Sequence, residues 1–307
     1  MKREKLNTIN ERDNEFLLSD RIAKIRAINE QYNLLDNAYI SFSGGKDSTI
    51  LHYLIDQALP GNQIPRVFIN TGIEYKATLK FVKQMAENDN RFVIWTVGKD
   101  IKKTLNKVGW PFKSKEHAQK LYEWKRGYRS KSHMRYFRQL PNGFSPCPQV
   151  LMYQIQDDFD MNISHFCCHE FKKKPIRDYM KQSKRSITLT GMMRTEGGQR
   201  TTLNCIVTDK DGALKKFHPM AVCTTEWEDW YIKDRGIKLS ELYYPPFNFT
   251  RTGCIGCPFA KDIKSELETL SLLETSEYKR AQWLWKTVYD EYRRIGYRLD
   301  NQPTLFD

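Results

Sequence analysis

The segment Ala38-Tyr-Ile-Ser-Phe-Ser-Gly-Gly-Lys-Asp-Ser-Thr-Ile50 decides the fold. Ala38 to Phe42 form an apolar, strand-like run, and Ser43 to Ser48 a small-residue turn carrying hydroxyls, two glycines, a lysine and a carboxylate. From Thr49 onward the pattern is helical, because Ile50, Leu51, Leu54, Ile55 and Ala58 recur on one face of a 3.6-residue period. A strand, a glycine turn and a helix place backbone N–H groups at a helix start, where they meet an anion. The turn therefore reads as a phosphate cradle. A Walker A loop needs a glycine where Ile40 stands and Ser or Thr where Asp47 stands, and the dinucleotide pattern G-x-G-x-x-G is excluded because Gly44 and Gly45 are adjacent.

Working outward, Glu15 to Leu35 read as a helix with Phe16, Leu17, Ile22, Ile25, Ile28 and Leu34 as its apolar positions. Arg66-Val-Phe-Ile-Asn70 is a second strand, closed by Thr71-Gly72 and followed by a helical stretch from Glu74 to Glu87. Arg91 to Val97 read as a third strand and Ser186 to Thr190 as another. Thr202 to Val222 form a short β excursion turned at Asp211-Gly212, and Asp262 to Arg298 are helical. Repeated strand–turn–helix units require a parallel α/β sheet, with ligands beyond the carboxyl ends of the strands. Asn70, Thr71 and Gly72 are therefore expected beside the cradle, as is the loop Gly191-Met-Met-Arg-Thr-Glu-Gly-Gly-Gln-Arg200 with Arg194 and Arg200. The expected organisation is an N-terminal helix over 1–37, an α/β domain over 38–225, and a Cys-x-x-Cys segment with C-terminal helices over 226–307.

The 307 residues suffice for a full core. Lys and Arg number 50 against 37 Asp and Glu, a net charge of +13 that favours a polyanionic partner. From Lys113 to Arg138 cations far outnumber acids, with Tyr122, Trp124, Tyr128, Tyr136 and Phe137 interleaved. That composition suits nucleic acid, or equally a basic helix packing its aromatics into the core. No run of about 18 apolar residues exists, and Met1-Lys-Arg-Glu-Lys leads into charge and not into an apolar signal core. A cytoplasmic protein without a membrane partner is expected.

Ser43-Gly-Gly-Lys-Asp-Ser48 resembles the pyrophosphate loop (PP-loop) of the adenine nucleotide alpha-hydrolase superfamily. That superfamily includes N-type ATP pyrophosphatases, tRNA thiolation enzymes, DNA phosphorothioation enzymes, and adenylyl-sulfate and phosphoadenylyl-sulfate (PAPS) reductases. Gly109-Trp-Pro-Phe-Lys-Ser-Lys115 and the Gly191 to Arg200 loop are similar to stretches of the PAPS reductase-like proteins, and Asn70 stands where the superfamily has Asp. The resemblance implies a Rossmann-like parallel sheet with a helical C-terminal extension. It implies ATP with Mg²⁺ as ligand, with Ser43, Gly44, Gly45, Asp47, Ser48, Asn70, Thr71, Gly72 and Gly191 at the nucleotide. Lys46, Asp47, Arg194 and Arg200 are the implied catalytic residues.

Seven cysteines without a secretory leader argue for thiol or metal chemistry. Cys254-x-x-Cys257 is a tight knuckle that aims two thiolates at one metal, and the distant pair Cys167-Cys168 can complete the site. The arrangement, with Lys172-Lys-Lys-Pro175 beside it, resembles the 4Fe–4S motif of assimilatory adenylyl-sulfate reductases. Zinc is the alternative, since thiolates suit both. Adjacent cysteines point apart, so Cys168 can ligate where Cys167 does not; Cys147 then competes as fourth ligand, or one iron stays open. Cys205 and Cys223 read as small buried hydrophobes.

Sulfonucleotide reductases attack with a cysteine in a C-terminal tail, and no cysteine follows Cys257. The expected activity is therefore an adenylating sulfurtransferase acting on a nucleic acid or nucleotide, supplied by a cysteine desulfurase or a thiol reductant. Alternatives are a reductase using Cys147 or Cys223 as nucleophile, and a non-catalytic nucleic-acid-binding or redox-sensing protein.

Overall fold

The computed structural model describes residues 11–141, 145–196 and 200–300. The tail Asp300-Asn-Gln-Pro-Thr-Leu-Phe-Asp307 lies, after Asp300, outside the described residues. The chain forms two compact units. One, the sheet unit, takes Met1–Asn70, Lys76–Thr96 and Ile176–Thr252; the other, the thiol unit, takes Thr71–Tyr75, Val97–Pro175 and Gly253–Asp307. The boundary expected at 225/226 falls inside a helix, Thr225–Asp234.

Among the described residues the sheet unit carries six strands: β1 (Ala38–Phe42), β2 (Arg66–Asn70), β3 (Phe92–Thr96), β4 (Ile187–Leu189), β5 (Ile206–Thr208) and β6 (Leu214–Phe217). Their order is β3-β2-β1-β4-β6-β5, parallel except for the edge strand β5. The fold is thus α/β and Rossmann-like, as expected. The β excursion is the β5–β6 hairpin, and it joins the main sheet through β6 on β4.

Side chains of β1 to β3 alternate between the two faces with the period of a strand. Ala38 and Ile40 pack with helices α1 (Glu11–Tyr32), α3 (Lys46–Ala58) and α9 (Thr225–Asp234) through Ile25, Ile28, Ile50, Leu54, Trp227 and Tyr231. Phe42, Phe68 and Phe92 meet Phe81 and Val82 of α4 (Lys76–Asn88). Tyr39 and Val67 face the other way, onto Tyr179. Both faces being covered explains why β1 and β2 read as unbroken apolar runs.

The expected first helix is interrupted at Asn33, whose left-handed backbone (φ 48) ends α1 and whose side chain accepts from Asp36 N at the start of the short helix α2 (Leu34–Asn37). Asn is among the residues that tolerate this conformation. Among the described residues, no helix is long and apolar enough to cross a membrane.

Arg66, fully buried at the start of β2, is satisfied by Asp56 (2.5 Å), Asn62 (2.9 Å) and His52 Nδ1 (3.0 Å), while Arg91 also binds Asp56 at 2.7 Å. Burial pushes the Asp56 carboxyl up, but hydrogen bonds from Arg91 and the charge of Arg66 outweigh it and hold the pKa below the usual value. Asp56→Ala leaves a buried guanidinium without its carboxylate and is expected to cost about 3 kcal/mol by urea denaturation. Because the folded-state pKa is depressed, this contribution is present above the unfolded carboxylate pKa and is lost as pH falls through the lower folded value. Asp56→Asn should accordingly lose less stability than the parent chain over that acidic window.

Candidate functional site

The cradle follows β1. Gly44 sits at φ +73°, and a Cβ there would stand 2.8 Å from Thr78 Cγ2 and 3.0 Å from Val82 Cγ2, so conformation and space both require glycine. Gly45 is the N-cap of α3 and offers no side-chain cap. A Cβ on Gly45 would lie 3.2 Å from Tyr243 Oη and 3.3 Å from Thr252 Oγ1. Gly191 permits a third approach: its Cβ would run into the backbone of Asp47, with the Asp47 carbonyl carbon at 2.8 Å. The predicted Gly191 thus lets the chain after β4 close on the start of α3.

The loop is internally braced. Ser48 Oγ donates to Gly45 O at 3.0 Å, accepts from Ser43 N at 3.1 Å, and lies 3.1 Å from Ser43 Oγ. The Lys46 amide, first in α3, donates to Tyr243 Oη at 3.0 Å, and that phenol lies 2.9 Å from Thr252 Oγ1. Tyr243 and Thr252 escaped sequence reading because nothing local in a Leu-Tyr-Tyr or Thr-Arg-Thr stretch announces a helix N-terminus so far away in the chain.

Around these residues lies a cleft of about 280 Å³. Ser43, Gly45, Lys46 and Asp47 line one part of it. Arg200 and Arg251 bring positive charge, with Thr250 and Thr252 beside them. Arg194 is not among the lining residues; it is exposed and its Nε donates to Leu203 O at 2.8 Å. Asn70 ends β2 with its amide 3.5 Å from Thr96 Oγ1 and does not line the cleft either.

Behind the loop lies a carboxylate that the sequence did not single out. Glu228 of α9 is fully buried, and Lys46 Nζ stands 3.0 Å from its Oε2, with Asp229 at 3.5 Å. The Glu228 oxygens have no partner in hydrogen-bonding geometry, so the Lys46 contact is an ion pair held off the bonding direction. Burial, reinforced by the charge of Asp47 and opposed by Lys46, pushes the Glu228 carboxyl up to about 7. Desolvation pulls the Lys46 ammonium down, but the charge of Glu228 more than restores it and its pKa is raised.

The thiol unit holds the predicted cysteines. Thr71 donates through N (3.0 Å) and Oγ1 (2.7 Å) to the Glu74 carboxylate, and Gly72 O accepts from Arg280 at 2.6 Å, so this turn is bound within its own unit. Glu74 forms an isolated antiparallel bridge with Cys254, and Ile255 N donates to Ile73 O at 2.8 Å. The Cys254-x-x-Cys257 knuckle turns through Gly256 (φ +54°), where a Cβ would stand 2.9 Å from Ala281 Cβ. Trp285 Nε1 donates to Ile255 O at 2.7 Å, and Tyr289 to Gly256 O. Trp285, Tyr289 and Tyr292 are fully buried in helix α11 (Thr275–Arg294), whereas Trp283 on the same helix is 61% exposed.

Cys167, Cys168, Cys254 and Cys257 are close enough to feel one another's charge. Burial pushes the Cys167, Cys254 and Cys257 thiols up, and neighbouring thiolates push them further. Lys172 opposes this; the charge of Cys254 foremost, against burial, raises its own pKa. Among the described residues no three His, Cys, Asp or Glu side chains form a ready metal cage. Cys147 is elsewhere: fully buried, 3.9 Å from His117 Nδ1, and pushed up to about 11 by burial, against the charges of Lys113 and Arg138. Cys223 is buried in the core of the sheet unit and Cys205 packs against that core, in keeping with their reading as small hydrophobes.

These features define an α/β chain of the pyrophosphate-loop kind. The phosphoadenosine phosphosulfate reductase domain model matches residues 37–141 and 148–260, and the chain belongs to that family. An uncharacterised protein of Methanocaldococcus jannaschii is 25% identical over 312 aligned positions, covering 92% of this chain. This chain spans 62% of that relative's length. Among solved structures, a PAPS reductase from Candida auris in a phosphate complex matches with a TM-score of 0.45 and 14% identity, over 81% of this chain and 98% of that one. The NH3-dependent NAD synthetase of Campylobacter jejuni matches with a TM-score of 0.42 and 14% identity, over 96% and 99%. An FMN adenylyltransferase of Candida glabrata gives 0.47 and 12%, over 83% and 66%.

Two outcomes follow for the cleft. Tyr243→Phe removes the phenolic acceptor from the Lys46 amide and should tighten inorganic pyrophosphate binding by roughly 1 kcal/mol in titration calorimetry. Gly191→Ala should destabilise the chain by about 2 kcal/mol in thermal unfolding, because the added methyl meets backbone that cannot yield.

Proposed function

We propose that this chain is an ATP-dependent, adenylating sulfurtransferase of the PAPS reductase-like family, working in the cytoplasm on a nucleic acid or nucleotide. The observation that carries the reading is the start of α3, where Gly44, required by its positive φ and close neighbours, and Gly45 bring the loop to a polar cleft that also holds Lys46, Arg200 and Arg251. Such a helix start favours anions. Ser43, Gly44, Gly45 and Ser48 would contact the ATP phosphates, and Asp47 would lie near Mg²⁺. Asn70, Thr71, Gly72 and Gly191 would act by shaping the strand ends.

In the proposed reaction an oxygen of the substrate attacks the α-phosphorus of ATP, and pyrophosphate leaves with the bonding electron pair, its charge taken up by the loop amides and Lys46. The adenylate is then open to displacement by the terminal sulfur of a persulfide delivered by a cysteine desulfurase, with AMP leaving, and a thiol reductant would cleave the resulting disulfide to free the thiolated product. Arg200 would stabilise charge building on the transferred phosphoryl group, a bidentate guanidinium suiting that role. Its place in the cleft favours it over Arg194.

Four mutually influencing thiols fit a thiolate-bound 4Fe–4S cluster, or zinc, better than any harder metal. Cys167, Cys168, Cys254 and Cys257 would hold the group, with Lys172 offsetting part of their negative charge. When bound, a cluster would supply one-electron chemistry and zinc only structural fixation. Cys147 is disfavoured as a ligand because its neighbours are Lys113, Arg138 and His117. A reductase using Cys147 or Cys223 is the weaker reading, since burial pushes both thiols up, Cys223 to about 12, and the thiolate is the nucleophile.

ATP with a range of nucleic acids should release pyrophosphate, and Lys46→Ala should lower kcat/KM at least about tenfold. Sulfite release from adenylyl sulfate, with no pyrophosphate from ATP, would instead identify the reductase. Chain purified without oxygen should contain iron and acid-labile sulfide, lost in Cys168→Ala and Cys254→Ala and kept in Cys205→Ala; zinc without sulfide would support the alternative metal.

A further inference from the structure

More than half of the chain's surplus positive charge lies in 26 consecutive residues. Lys113 to Arg138 contain nine Lys and Arg against Glu116 and Glu123. In the thiol unit this stretch forms a helical hairpin of α6 (Lys115–Trp124) and α7 (Lys131–Tyr136), turned at Gly127 with φ +87°. Each helix begins on a serine cap: Ser114 accepts from His117 N and Ser130 from His133 N. Glu123 is committed to His133 at 2.7 Å and to Gln119 at 2.9 Å, and Lys120 ties the helices through Ser132 at 2.6 Å.

The hairpin resolves the ambiguity of its aromatics. Trp124, Tyr136 and Phe137 are buried, and Tyr122 is half-buried beneath the Arg126 guanidinium, 3.4 Å from its ring. Arg129 lies over Trp124 at 3.8 Å in the same manner. Only Tyr128, 63% exposed, remains available to stack on a base. The rings therefore serve as platforms that hold two exposed arginines in place. Arg126 donates to Tyr122 O at 3.1 Å, and Arg129 donates to the carbonyls of Trp124 and Tyr128. A guanidinium has five N–H donors, so each keeps several for a phosphate, with its entropy already reduced.

We infer that the α6–α7 hairpin is a docking face for double-stranded nucleic acid, gripping the phosphate backbone through Arg126, Arg129 and the cations around them without reading bases. Single-strand binders need successive stacking rings, which this face has buried. A membrane surface would call for apolar side chains to insert, and from Lys113 to Leu140 only Tyr128 and Leu140 are exposed large hydrophobics. The inference depends on the nucleic-acid part of the function proposed above and is independent of its ATP chemistry.

The test is fluorescence anisotropy of the full chain with labelled duplexes of unrelated sequence, the matching single strands, and vesicles containing phosphatidylserine. Duplexes of different sequence should bind alike, at least as tightly as single strands, with a log–log salt slope of about −4. R126Q/R129Q should weaken binding about tenfold and reduce the slope by about 2, with thermal unfolding unchanged. K264Q/K286Q, which removes the same charge at exposed positions elsewhere, should change neither. Absence of duplex binding, preference for single strands, binding to the vesicles alone, or an unaffected R126Q/R129Q would each overturn the inference. Lys46→Ala should retain duplex binding, so that loss of pyrophosphate release with intact binding counts against the ATP chemistry alone.

Discussion

The structure of the sheet unit hangs on how closely neighbouring elements can approach the backbone at the start of α3. Thr78 and Val82 press on Gly44, Tyr243 and Thr252 on Gly45, and the Asp47 backbone on Gly191. Three positions without a side chain let elements distant in sequence converge on one helix terminus. A Cβ on Gly44 or Gly191 would push one of them away, and one on Gly45 would crowd Tyr243 and Thr252. The cleft is thus a consequence of packing, and the hydroxyls and cations that line it are placed by that packing.

Charge around the loop is balanced at close range. Lys46 has a fully buried carboxylate behind it and two arginines in the cleft it shares. Burial alone would pull the Lys46 ammonium down; the charge of Glu228 more than offsets it, and Lys46 in turn limits how far burial raises the Glu228 pKa. The pair resembles a buried salt bridge whose worth lies in fixing a charge at one place more than in stability. The thiol unit solves a like problem with the opposite sign. There Lys172 faces several cysteines, and the knuckle that presents two of them is locked from behind by Trp285 and Tyr289.

The basic hairpin shows how one composition serves a purpose different from its first reading. Interleaved rings and cations suggest base stacking when written as a string. Folded, most of the rings are inside, and what they offer outward is the orientation of two guanidinium groups.

By itself the sequence determined the local elements. The limits of β1 and β2, the helix after the loop and the β5–β6 hairpin all followed from periodicity, turn residues and short-range spacing, which are properties of neighbours in the chain. The loop residues Ser43 to Asp47 and Arg200 were legible for the same reason, since strand ends and glycine turns carry their own signature. Only the tertiary structure decided that Glu228 stands behind Lys46, that Tyr243 caps its amide, that Arg251 rather than Arg194 joins Arg200, and that the chain is cut into two units after Asn70, Tyr75, Thr96, Pro175 and Thr252. These depend on which surfaces meet across long stretches of chain, and an acid in a helix or a tyrosine in a loop looks the same in sequence whether it is solvated or buried against a partner.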